Sequence, residues 1–106
     1  MKTMSVDAIE VSRALGATLR KYIDGKVSFS EVETAIADGI RASPNQQDSF
    51  TQLYHVVNHY EIDADLMTED PRYKSVMAGK LRKIADSLAS GRMDELSRSL
   101  EAFWMR

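Results

Sequence analysis

The chain has 106 residues, 43% of them hydrophobic and 28% charged, with a formal net charge of −2. That length suits one compact domain, 1–106, with a single core and no room for a second. The absence of cysteine excludes disulfides, zinc–thiolate centres and cysteine nucleophiles. Apolar runs are only a few residues long, so no segment is expected to span a bilayer. No apolar stretch follows the N-terminal Met1, Lys2, Thr3 and Met4 to serve as a signal peptide, and a cytoplasmic protein is expected.

The small net charge conceals an uneven distribution. From Val27 to Asp70 there are nine acidic residues and one basic residue, Arg41, whereas the rest of the chain holds seven acidic and thirteen basic residues. The first stretch sums to −8 and the remainder to +6. A division of this size is informative about partners rather than about fold.

Apolar residues recur at three- and four-residue steps almost throughout, which predicts an all-α protein. A first helix is expected from Ser5, a cap for the free N–H groups of the first turn, with Asp7 and Glu10 favoured by the helix dipole. Val6, Ile9, Leu15, Leu19, Tyr22 and Ile23 form its apolar face, and Gly25 suits the left-handed residue that ends it. Ser28 and Glu31 have the spacing of a capping box for a second helix, with Val27 and Val32 placed as a hydrophobic staple. Ser30 and Glu33 repeat the box two residues on. Within this helix, Ala35 and Gly39 are small enough for a neighbour to approach closely.

Ser43-Pro44-Asn45-Gln46 predicts a third start, with serine as cap and proline at the first helical position. Phe50, Leu53, Tyr54, Val57 and Tyr60 share its apolar face. The helix is expected to end within Glu61–Asp65, and Asp63 to open a further short turn through Leu66 and Met67. Asp70-Pro71 repeats the cap-then-proline signal. The helix it opens carries Tyr73, Val76, Met77, Leu81, Ile84 and Leu88 and closes at Gly91. A last helix from Met93-Asp94 contributes Leu96, Leu100, Phe103 and Trp104 to the core. Short connections predict a compact antiparallel bundle of four or five helices.

Three chemistries are weighed on particular residues. His55 and His59, four apart on one helix, share an outer stripe with Asp48, Gln52 and Asp63. That spacing suits a divalent metal, but no glutamate stands between them as a general base, and two histidines on a partner-binding face is the favoured reading, with no metal or other cofactor. No phosphate loop or nucleophile elbow is present, and the capping roles of the serines argue against an enzyme. Lys74, Lys80, Arg82, Lys83 and Arg92 cluster on or after the penultimate helix and would track phosphates. The acidic half would repel a polyanion, so no direct nucleic-acid contact is expected.

The acidic cluster carries the sharper expectation. Glu61, Asp63, Asp65, Glu69 and Asp70 lie within ten residues, with no basic residue among them. Helix capping accounts for Asp70 and offers a role for Asp63, but not for all five. Like charges this dense repel one another unless a cationic partner offsets them. Tyr54, Tyr60 and Tyr73, interleaved with them, are of the aromatic type favoured as interface anchors.

The segment from Leu53 to Tyr73 carries His59-Tyr60, then Asp63-Ala64-Asp65, then Asp70-Pro71-Arg72-Tyr73 at the start of a helix. In these elements it resembles the small helical bacterial immunity proteins that accompany toxins of the colicin and contact-dependent growth inhibition type. Leu66 and Met67 stand where that pattern often has an arginine. The paired-tyrosine-proline motif of helical colicin DNase immunity proteins is absent, so the chain is not placed in that branch. The resemblance implies a protein that binds a cognate toxin nuclease domain, expected to be a ribonuclease. The expected contact residues are Asp63, Asp65, Glu69 and Asp70, with His55, His59, Tyr60 and Glu61 as secondary ones. The alternatives are a small helical regulator or adaptor for another cellular protein, and a metal-binding bundle using His55 and His59.

Overall fold

Ser28 and Glu31 exchange the hydrogen bonds of a capping box. The Ser28 Oγ accepts from the Glu31 N–H at 3.3 Å, and the Ser28 N–H donates to Glu31 Oε1 at 3.4 Å. These contacts belong to a computed structural model that describes residues 6–105, with side chains from Ile9 onward. The expected cap Ser5 and the side chains of Val6 and Asp7 lie outside the described part. Among the described residues the regular structure is all helical: α1 (Val6–Ile23), α2 (Phe29–Ala42), a 3₁₀ turn (Pro44–Gln46), α3 (Gln47–Ile62), α4 (Ala64–Glu69), α5 (Pro71–Ser90) and α6 (Met93–Phe103).

Two punctuation signals act as the sequence predicts. Gly25 and Gly91 take positive φ, 77° and 72°, where a side chain would be strained, and they stop α1 and α5. Asp70 caps α5, its Oδ1 accepting from the N–H groups of Arg72 and Tyr73 at 3.1 Å each, with Pro71 beside it at the first helical position. The third start differs from expectation. Ser43 makes no side-chain cap, because its own N–H closes α2 on the Gly39 carbonyl at 2.9 Å and its backbone is held by that role. The chain then makes the 3₁₀ turn before α3 begins at Gln47.

Contacts between helices run antiparallel. Ser12 meets Leu88, Arg20 meets Asp86 and Asp24 meets Arg82, so α1 and its C-terminal turn descend along α5 as α5 rises. Ser87 meets Ser99 and Lys80 reaches the Phe103 carbonyl, which pairs α5 with α6 in the same sense. Between α2 and α3, Phe29 meets Tyr54 and Gly39 meets Phe50. One continuous core results, with Leu15, Leu19, Phe50, Leu53, Val57, Leu81, Ile84, Leu88, Leu96 and Leu100 all buried.

Of the two glycines at helix contacts, Gly16 rather than Gly39 has the closer neighbour. A methyl group at Gly16 would sit 2.8 Å from the Ala85 carbonyl oxygen, whereas at Gly39 the nearest atom, on Phe50, is 3.5 Å away. Two side chains expected in the core lie outside it. Val76 is 51% exposed and Trp104 is 54% exposed. Both belong to apolar stripes, but α6 ends at Phe103, and Trp104, the residue after it, passes over the edge of the core instead of entering it.

Candidate functional site

The acidic segment falls at the corner where α3 gives way to α4 and α4 to α5. Its carboxylates have different surroundings, and these divide them by role. Asp63 does not cap α4. Its Oδ2 accepts from the Tyr73 hydroxyl at 2.6 Å and lies 3.0 Å from His59 Nε2, with the side chain only 15% exposed. It therefore ties the end of α3 to the first turn of α5. The hydrogen bond to this carboxylate, with a smaller effect of burial, raises the Tyr73 pKa. Asp70 is occupied as the α5 cap. Asp65 and Glu69 are exposed on α4, and neither makes a hydrogen bond or ion pair to a described side chain.

Glu61 lines a cleft of about 230 Å³ with Tyr22, Tyr60, Ala64, Met67 and Lys74. Burial, together with the nearby negative charge of Glu61, raises the pKa of Tyr22 well above the usual tyrosine range. Tyr60, expected on the apolar face of α3 and also as a secondary contact residue, is 8% exposed and belongs to the apolar face. Its ring packs edge-on against Tyr22 at 5.8 Å, so it shapes the cleft from within. Burial is also the main cause of its own raised pKa.

His55 and His59 project from one side of α3 but meet different neighbours. His55 is exposed beside Tyr54, at 5.8 Å between ring centres. His59 lies edge-on to Phe103 at 6.0 Å and Trp104 at 5.2 Å, with its Nε2 on Asp63. No three His, Asp or Glu side chains gather with metal-ligand geometry among the described residues. The structure thus brings together His59, Asp63 and Tyr73, three of the residues that carry the family resemblance, and adds Trp104 to them. The sequence offered no sign of that addition, since Trp104 falls in phase with the core positions of α6.

Charge is paired very unevenly over the molecule. Arg20–Asp86, Arg82–Asp24, Arg92–Glu95 and Arg98–Asp94 lie within the basic part of the chain, and Arg41–Asp38 and His59–Asp63 within the acidic part. No ion pair among the described residues joins the two parts. The basic cluster is divided, with Lys80 and Lys83 joined by Arg98 in one groove and Arg82 turned to α1. Lys80 donates to the Phe103 and Met105 carbonyl oxygens, Arg82 pairs with Asp24, and Lys83 lines a groove between α5 and α6. Among the described residues, then, no ion pair offsets the like charges of Asp65 and Glu69 along α4, and the described cation nearest to Glu61 in its cleft is Lys74, which makes no ion pair with it. None of the described helices is long and apolar enough to cross a membrane. No protein-family model, curated protein or solved structure matches this chain.

Proposed function

We propose that this protein is a stoichiometric inhibitor, an immunity protein that binds and neutralises a cognate bacterial ribonuclease toxin in the cytoplasm. The observation that carries this reading is that no lysine or arginine among the described residues lies within ion-pair distance of Glu61, Asp65 or Glu69, although half the chain is basic. A nuclease holds its substrate through cationic groups that face phosphates. An acidic helical corner competes for such a surface, and the unpaired carboxylates are complementary to it. Complementary charge speeds encounter and disfavours wrong partners, which suits an inhibitor that must capture a lethal enzyme before it finds RNA. The protein acts by occupying a surface and performs no chemistry on the toxin. The resemblance in the segment from Leu53 to Tyr73 points the same way.

The proposal predicts a nuclease toxin domain encoded next to this protein's gene, and the test uses that domain. Glu61→Gln, Asp65→Asn and Glu69→Gln are combined, leaving the structural Asp63 and Asp70 untouched. The variant is expected to keep its helical circular dichroism and to bind about tenfold more slowly at low salt, with a flatter salt dependence and poorer protection of growing cells. Unchanged association rate and full protection would show that this corner does not recognise the toxin.

A further inference from the structure

Five large apolar side chains among the described residues are substantially exposed: Ile62, Leu66, Val76, Trp104 and Met105. They fall into two groups, which meet at Trp104 and Met105. Met105 lines the groove between α5 and α6 with Lys80, Lys83 and Arg98, and Val76 lies one turn before Lys80. Ile62, Leu66 and Trp104 belong to the acidic side. The Trp104 ring lies 5.2 Å from that of His59, His59 Nε2 lies 3.0 Å from Asp63 Oδ2, Ile62 precedes Asp63 in the chain, and Leu66 follows one turn later. The sequence holds no lysine or arginine between Arg41 and Arg72.

We propose that the Trp104–His59 seam between α3 and α6, flanked by Ile62 and Leu66, is the anchor site for a partner protein whose docking face is apolar at its centre and basic at its rim. The basic sign of that rim rests on the acidic-surface reading above. The apolar centre rests on exposure, which is 54% for Trp104, 70% for Ile62 and 58% for Leu66. Tryptophan is the residue type most enriched at energetic centres of interfaces. Here its ring is held in place before any partner arrives. Phe103 lies edge-on at 5.1 Å and His59 at 5.2 Å, and Asp63 holds the His59 imidazole. An anchor ordered in advance loses little freedom on binding. Asp65 and Glu69 lie beyond Leu66, and Glu101 lies one turn before Trp104, all exposed. A basic rim complements these carboxylates, while Lys80, held by the Phe103 and Met105 carbonyls, marks the other edge of the tryptophan.

Trp104 is the only tryptophan in the chain, so its emission reports on this seam alone. The probe is a short, tryptophan-free amphipathic helical peptide of lysine and leucine. The expected result is a saturable blue shift that weakens with salt and is absent for a peptide in which glutamine replaces leucine. By calorimetry, Trp104→Phe is expected to retain binding and Trp104→Ala to weaken it about tenfold with the helical spectrum unchanged. No saturable shift, an equal shift with the glutamine peptide, or undiminished binding by Trp104→Ala would overturn the anchor. A blue shift that grows with the protein's own concentration would overturn it too, by making a second copy the occupant. The toxin experiment separates the two proposals. A toxin that the wild type does not bind sinks the inhibitor reading while the peptide result stands. A toxin bound as tightly by Trp104→Ala sinks the anchor alone.

Discussion

Arg20 on α1 reaches Asp86 on α5, and Arg82 on α5 reaches back to Asp24 just past α1, whereas no described lysine or arginine reaches Glu61, Asp65 or Glu69 at the α3–α4 corner. The α1–α5 pair is where the molecule is most self-sufficient. Its helices approach closely at Gly16, its buried Ser12 hydroxyl donates to the Leu88 carbonyl at 2.8 Å, and its charges find partners across the seam. The corner has the opposite character. It spends Asp63 and Asp70 on its own architecture, turns Glu61 into the cleft beside Tyr22, and leaves Asp65 and Glu69, with Ile62, Leu66 and Trp104, facing water. Stability is concentrated in the first region, and the means of recognising something else in the second.

The largest expected effect breaks that contrast from the stable side. Leu81→Ala removes a fully buried side chain at the centre of α5 and is expected to cost about 2–5 kcal/mol in urea unfolding, whereas Leu66→Ala on α4 should change stability by no more than about 0.5 kcal/mol. Similar losses at both positions would mean that α4 is as integral to the core as α5.

Gly16→Ala comes next. The added methyl group would meet the Ala85 backbone, which cannot swing aside as a flexible side chain can, so α1 and α5 must separate. A loss of about 1–3 kcal/mol is expected. A neutral result would show that the two helices part without penalty and that the α1–α5 seam is looser than its geometry implies.

Within the corner, the division between structural and free carboxylates is sharpened by comparing caps with non-caps. Asp70→Ala removes the acceptor of two backbone N–H groups and is expected to cost about 1 kcal/mol. Asp65→Ala and Glu69→Ala should be neutral for folding or slightly favourable through relief of like-charge repulsion. Equal costs at all three positions would remove the distinction.

The smallest effect is a pH dependence on the alkaline side. Tyr22 holds its proton in the folded state because of its burial and the nearby Glu61 charge. Below about pH 10 both folded and unfolded forms are protonated there, and nothing is lost. Above it the unfolded chain gives up the proton first, so stability falls as pH rises towards the folded value. Tyr22→Phe should flatten that fall, as read from urea midpoints across the alkaline range, and an unchanged slope would show that Tyr22 ionises as freely in the fold as outside it.

Helix starts that depend on a few consecutive residues were legible without the structure. Ser28 with Glu31, Asp70 with Pro71, and the stops at Gly25 and Gly91 all act within a single turn, and short-range hydrogen bonding and φ preference decide them wherever the helices go. The same locality explains the miss at Ser43, which stands between two helix ends and serves the earlier one. Trp104 and Val76 were placed wrongly because periodicity gives the direction of a side chain but not whether a neighbouring helix extends far enough to cover it. Exposure of that kind depends on helix lengths and crossing points, which are tertiary quantities.

The acidic character of residues 61–70 was written in the composition, as was the excess of base elsewhere. The sequence by itself therefore determined an all-helical chain divided by charge, with its main caps in place, because those properties are additive along the chain. Only the tertiary structure decided which carboxylates are spent. Asp63 is bound because α5 returns Tyr73 to it and His59 lies one turn before it, while Asp65 and Glu69 make no ion pair with any described cation. Tertiary packing likewise set a lone tryptophan from the last helix beside a histidine 45 positions earlier. Such a meeting depends on where α6 crosses α3, and no local pattern encodes that crossing.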